Sequence, residues 1–128
     1  MPAKILIVDD EPRIADSVRE IVAGAGYEAV CAYNPVDAMY NAVTLRPDVL
    51  LSDVLMQGMN GFELALQIKR RVPSCRPILF SGQAATVQLA HDFGEIFASK
   101  GIRFELLPKP VRPEILLEKI QQSLMQPT

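Results

Sequence analysis

Tryptophan is absent from the 128 residues, histidine occurs once and cysteine twice. His91 has no acid or nucleophile partner at a telling spacing, so it is expected at the surface. Cys31 and Cys75 form neither a CxxC pair nor a His/Cys cluster, which argues against a zinc site. A chain of this length needs no disulfide staple, and both thiols are expected to be buried and reduced. No run approaches the ~18 apolar residues of a membrane span. Met1 to Lys4 leads straight into a strand pattern and not into a signal peptide, so the expected location is cytoplasmic, with no membrane partner. An excess of one charge is lacking too. Thirteen Lys and Arg against 15 Asp and Glu give −2, which leaves no electrostatic footprint for direct nucleic acid binding. The basic run Lys69, Arg70 and Arg71 reads as a solvated helix face.

What is present is an apolar content of 49%, arranged in two alternating patterns. Short continuous runs occur at KILIV (4–8), EAVCA (28–32), DVLLS (48–52), PILFS (77–81) and RFELL (103–107). Helically spaced segments lie between them. Ile14, Val18, Ile21, Val22 and Ala25 mark the inner face of the first, which Gly24 and Gly26 end. Asn34-Pro35 opens the second, an N-cap followed by proline at the first helical position, with Met39, Ala42 and Val43 inward and a stop before Pro47. The third runs from about Phe62 to Val72 on Leu64, Ala65, Ile68 and Val72. The fourth covers roughly Ala84 to Ser99, and the fifth starts at Pro113 and uses Leu116, Leu117, Ile120 and Leu124.

Strongly apolar strands alternating with helices imply a parallel sheet covered on both faces. Right-handed crossovers then favour a flavodoxin-like, doubly wound α/β fold: five parallel strands in the order 2-1-3-4-5 with five flanking helices. The whole chain, 1–128, is expected to be a single domain.

In such sheets ligands bind beyond the carboxyl ends of the strands, where the winding reverses. Here that point lies between strands one and three, which end in Asp9-Asp10-Glu11 and Asp53. Strand four ends in Ser81-Gly82 and strand five in Lys109-Pro110, whereas strand two ends without charge in Cys31-Ala32-Tyr33. Neighbouring strands sit ~4.8 Å apart, so the carboxylates must converge. Clustered carboxylates disfavour one another's ionisation, and an oxygen-loving cation such as Mg²⁺ relieves this. Lys109 supplies a second positive charge. Taken singly, Asp10 could be the cap of the first helix and Asp53 a turn starter; the convergence of all four tips favours a joint functional reading.

The segments ILIVDDEPRI, DVLLSDVLMQGMNGFEL, PILFSG and LLPKPV resemble the receiver domain of two-component response regulators, in order, spacing and predicted strand position, from about Lys4 to Leu124. The resemblance implies a signalling domain and not an enzyme acting on a separate substrate. Asp53 is then the phosphoacceptor, charged by a sensor histidine kinase or a histidine phosphotransfer protein. Mg²⁺ is implied on Asp10, Asp53 and the backbone carbonyl of Leu55, with Asp9 holding its water shell and orienting Lys109. Ser81 and Lys109 are implied as partners of phosphoryl oxygens, and Lys109-Pro110 as a cis peptide. A downstream protein target, or an effector domain outside this chain, is the implied recipient of the signal. Dimerisation on phosphorylation remains an open alternative.

Several positions depart from that family. Gln57 stands where proline is usual, and Asn60 replaces an acid before the retained Gly61. The 27 residues between Ser81 and Lys109 exceed the usual spacing, so the fourth helix is expected to be longer by about one to two turns at ~3.6 residues each. Leu106 occupies the place of a switching tyrosine or phenylalanine, which shifts the expected signalling route toward the fourth helix and its flanking loops. Leu55 and Gln83 sit where attack by water is tuned, and an apolar Leu55 suggests a phosphoryl bond that is not among the shortest-lived. Rival functions fit less well. A haloacid-dehalogenase-type phosphohydrolase needs an acid two residues after its nucleophile, and Leu55 stands there. A flavin module would meet repulsion between its phosphate and Asp9, Asp10 and Glu11.

Overall fold

The computed structural model describes residues 2–82 and 85–126. Ten elements follow one another as β1 (Lys4–Val8), α1 (Pro12–Gly24), β2 (Glu28–Ala32), α2 (Pro35–Leu45), β3 (Val49–Asp53), α3 (Gly61–Arg71), β4 (Arg76–Ser81), α4 (Ala85–Ser99), β5 (Glu105–Pro108) and α5 (Pro113–Met125). The strands form one parallel sheet in the order β2-β1-β3-β4-β5, as expected for a flavodoxin-like fold.

Alternate strand residues point to opposite faces, and this sorts the core into two layers. Leu6, Val8, Leu50 and Leu79 pack beneath α2, α3 and α4, together with Ala38, Ala42, Leu64, Ile68 and Phe97. Ile5, Ile7, Val49, Leu51, Ile78 and Phe80 pack beneath α1 and α5, together with Ala15, Val22, Leu116 and Ile120. A strand covered on both sides must be apolar at every position, which is why these runs are continuous.

Three strands depart from their sequence positions, β4 only by starting one residue early, at Arg76. The run expected at 48–52 forms a strand one residue later, because the Asp48 carboxylate accepts the Lys4 amide at 2.8 Å and so ties off the lower edge of β1. The run expected at 103–107 pairs only from Glu105. Phe104 instead packs edge-on against Phe62 and Phe97, at centroid distances of 5.4 and 5.0 Å, and Phe93 stacks on Phe62 at 5.4 Å. Four rings thereby join α3, the C-terminal half of α4 and the connection to β5, each pair adding about 0.5–1.5 kcal/mol beyond its buried area.

The helix faces hold in part. α3 turns Leu64, Ala65 and Ile68 inward as expected, with Val72 buried at its end and Phe62 added; α5 buries Leu116 and Ile120. On α1 Val22 is buried and Val18 packs against the core as expected, with Ala15 added, whereas Ile14 is exposed, as is Ala25 just past the helix end. On α2 Ala38 and Ala42 are buried and Val43 is exposed, since two alanines let that helix lie close to the sheet. α4 is the longest helix at 15 residues. His91 is exposed and Cys75 buried, as expected, but Cys31 is only half-buried, its thiol donating to the Ala15 carbonyl at 3.3 Å. Lys69 is half-buried too, its ammonium donating to the Pro73 carbonyl at 2.6 Å, while Arg70 and Arg71 are exposed. No helix among the described residues is long and apolar enough to cross a membrane.

Candidate functional site

Register brings the acids to one level. Val8 pairs with Ser52, so Asp9 and Asp53 follow at the same height on adjacent strands. One oxygen from each of Asp9, Asp10 and Asp53 lies within 4.8 Å of the others. From beyond β5, Lys109 reaches across the end of β4: its ammonium is 3.2 Å from Asp53 Oδ2 and 3.8 Å from Asp9 Oδ2.

The chain places that lysine by two local devices, a backbone hydrogen bond and a glycine. The Lys109 amide donates to the Ser81 carbonyl at 2.8 Å, continuing the β4–β5 ladder past Pro108. The Lys109–Pro110 peptide is cis, as expected. Beside it Gly82 leaves room for the side chain, since a Cβ there would stand 3.3 Å from Lys109 Cδ.

Asp53 is fixed from below in a similar way. Gly61, the first residue of α3, donates its amide to the Val54 carbonyl at 2.8 Å, and a Cβ on it would lie 2.4 Å from the Asp53 carbonyl oxygen. Only glycine lets α3 begin so near the end of β3. Asn60 caps that helix: its side chain accepts from the Glu63 amide at 2.9 Å, and Glu63 accepts from the Asn60 amide at 3.2 Å. Loss of the acid at position 60 therefore leaves a complete capping box.

The ordinary explanations for these acids do not apply here. The N-cap of α1 is Glu11, which makes no side-chain capping bond, so the exposed Asp10 carboxylate is not used on the helix. Asp53 does not start a turn through its side chain; the partner the structure gives it is Lys109. Asp9 is buried, with Oδ1 accepting the Glu11 amide at 2.9 Å. Burial raises its pKa above the ordinary carboxylate value, the Glu11 amide and Lys109 oppose that rise, and the charges of Asp53 and Asp10 add to it.

These groups line a cleft of about 710 Å³ that also takes in Leu55 and Gly82 and continues between α1 and α5 past Ile14 and Val111. Three carboxylates face one ammonium here, and the donors are all oxygen. That donor set and charge excess suit a hard divalent cation such as Mg²⁺.

The remaining sequence candidates sit as follows. Leu55 is half-buried on the cleft wall. Leu106 is half-buried on β5 beside Leu79, in the layer under α2, α3 and α4. Gln83 lies outside the described residues. Ser81 ends β4, but its hydroxyl is hydrogen-bonded to that of Thr86, a buried residue in the first turn of α4. Thr86 escaped the sequence reading. A threonine five residues after a serine carries no motif, and only the placement of the start of α4 beside the end of β4 brings the two hydroxyls together.

The response regulator receiver domain model matches residues 5–121. Among solved structures, the chain is 28% identical to a CheY-like response regulator receiver domain protein from Methanospirillum hungatei JF-1, with a TM-score of 0.83, covering 97% of this chain and 94% of that one. It is 28% identical to the chemotaxis protein CheY4 of Vibrio cholerae, with a TM-score of 0.78, covering 96% of this chain and 99% of that one. It is 26% identical to NtrX from Brucella abortus, with a TM-score of 0.81, and matches only 27% of that longer chain. Motif order, strand order and the family match agree: the chain belongs to the response regulator receiver domain family.

Proposed function

We propose that this receiver accepts a phosphoryl group on Asp53 from a phosphohistidine of a sensor kinase or phosphotransfer protein. The observation that carries the reading is the Lys109 ammonium 3.2 Å from Asp53, within a cluster of three carboxylates. A carboxylate oxygen of Asp53 attacks phosphorus; the bond from phosphorus to the donor imidazole breaks, and its electron pair stays on the imidazole. Transfer of this kind is mostly positioning and charge compensation. Lys109 offsets charge on a phosphoryl oxygen while Asp9 holds the lysine in place. Asp10, Asp53 and the Leu55 carbonyl would hold Mg²⁺, and Asp9 its water shell. The bound ion would neutralise charge on the phosphoryl oxygens during transfer. Ser81 would donate its hydroxyl to a further phosphoryl oxygen.

The reading takes residues 1–128 as one receiver unit whose changed α4, β5 and α5 surface alters affinity for a downstream protein or an effector domain. The test is intact mass after incubation with Mg²⁺ and acetyl phosphate. A phosphoryl adduct is expected on the wild type and none on Asp53→Asn; equal labelling of both proteins, or of neither, contradicts the reading.

A further inference from the structure

Ser81 ends the strand beside the acid cluster, yet its hydroxyl is committed elsewhere. It is bonded to the Thr86 hydroxyl, and Thr86 is 1% exposed in the first turn of α4. The neighbours of Ser81 in sequence, Phe80 and Gly82, both line the acidic cleft, and the Ser81 side chain is not part of that wall. We infer that Thr86 is a positioning residue that holds the Ser81 hydroxyl away from the acid cluster until a phosphoryl group is present. The inference rests on Asp53 being the phosphoacceptor.

The physical basis is competition for one small group. A serine hydroxyl has a single proton to donate and a single χ1 torsion by which to aim it. In the resting protein that hydroxyl is satisfied by Thr86 inside the structure. A phosphoryl oxygen is a charged acceptor, and hydrogen bonds to charged groups are stronger than those between neutral hydroxyls. The new bond therefore wins once the phosphoryl group is in place. Turning Ser81 toward it leaves Thr86 without that partner, and Thr86 belongs to α4.

The first turn of α4 is thereby tied to the chemistry through two hydroxyls. The C-terminal half of the same helix is held separately, by the rings of Phe93 and Phe97 against Phe62 and Phe104. A helix fixed at one end and latched at the other responds at the latched end. This route makes no use of an aromatic at position 106, where β5 carries Leu106.

The experiment is titration of the Mg²⁺-loaded protein with beryllofluoride, a stable mimic of the phosphoryl group, followed through the amide signals of Gly82 and Thr86. Thr86→Val keeps the side-chain shape and removes the hydroxyl, and Thr86→Ser restores it. Thr86→Val is expected to bind beryllofluoride on the order of fivefold more tightly than wild type, the size of one ordinary hydrogen bond, with Thr86→Ser close to wild type. Its Gly82 amide is expected to be displaced toward the bound position before any beryllofluoride is added. The gain should vanish when Ser81→Ala is combined with Thr86→Val, because the threonine acts through that hydroxyl. Unchanged or weaker binding in Thr86→Val, or a gain that survives in the double variant, overturns the inference. Failure of the wild type to bind beryllofluoride, or equal binding by Asp53→Asn, instead removes the phosphoacceptor reading beneath it.

Discussion

The ammonium of Lys109, beyond the last strand of the sheet, lies 3.2 Å from the Asp53 carboxylate at the end of the central strand β3. This pair closes the acid cluster with a cation on the side facing β4. Lys109→Ala is expected to slow phosphorylation by acetyl phosphate roughly tenfold to a hundredfold, the range for losing one charge-stabilising group. The same change should tighten Mg²⁺ binding, since a competing cation has gone. Rates from intact mass and a Mg²⁺ titration check both effects; faster phosphorylation would contradict the assignment.

Gly61 offers a test of how Asp53 is held. A methyl group there would have to displace the backbone of β3 or the start of α3, because it would stand 2.4 Å from the Asp53 carbonyl oxygen. Gly61→Ala is expected to cost about 1–3 kcal/mol of stability, as for other overpacked sites. Urea denaturation measures the loss, and phosphorylation of the folded fraction should slow as well. Gly58→Ala, at φ +87 in an exposed turn with open space around it, should lose stability through backbone strain while leaving the aim of Asp53 intact.

Asp9 gives the metal-free protein a pH dependence of defined sign. Its folded pKa is raised, chiefly by burial, above the ordinary 3.8. The folded state therefore holds its proton to higher pH than the unfolded state, so this residue's contribution to stability falls as pH rises from that value through the folded pKa. Asp9→Asn is expected to be more stable than wild type at pH 7 without divalent ions, and the difference should shrink on acidification. Thermal unfolding at several pH values in chelator checks it; a variant less stable at pH 7 would contradict the assignment.

The alternating apolar runs made the sheet order legible in the sequence, and the four polar strand tips made the acid cluster and its lysine legible too. The Ser81–Thr86 bond was not legible, because it depends on where the first turn of α4 comes to lie beside the end of β4. Periodicity found the face of α1 only in part, since Val22 is buried and Val18 packs on the core but Ile14 does not. Ile14 fits the helical stripe, but that position borders the cleft, and the smaller Ala15 meets the sheet. The aromatic residues were visible only as scattered letters. Their mutual contact needs α3, α4 and the start of β5 to be in place first.

That ring cluster predicts where stability resides. Phe62 is fully buried and touches three other rings. Phe62→Ala is expected to lose about 3–5 kcal/mol, against under about 1.5 kcal/mol for a volume-conserving swap at a core site. Phe62→Leu should fall between these. Urea midpoints order the variants, and equal stability of Phe62→Ala and wild type would show that the cluster contributes nothing.

The two thiols should report opening of the fold. Burial pushes the Cys75 thiol up to about 12, and it raises Cys31 as well, although that residue is only half-buried. Thiolate is the reactive form. At pH 8 iodoacetamide is expected to modify Cys31 slowly in the native protein and Cys75 only on unfolding in urea. Peptide mapping distinguishes the sites, and prompt native labelling of Cys75 would contradict its placement.

The chemistry on Asp53 can be read at a single atom. Borohydride reduces an acyl phosphate to an alcohol, which converts a phosphorylated aspartate to homoserine at its own position. After reaction with Mg²⁺ and acetyl phosphate, followed by borohydride, peptide sequencing by mass spectrometry is predicted to find homoserine at position 53 and at neither Asp9 nor Asp10. Homoserine at another aspartate, or aspartate unchanged at 53, would contradict the account.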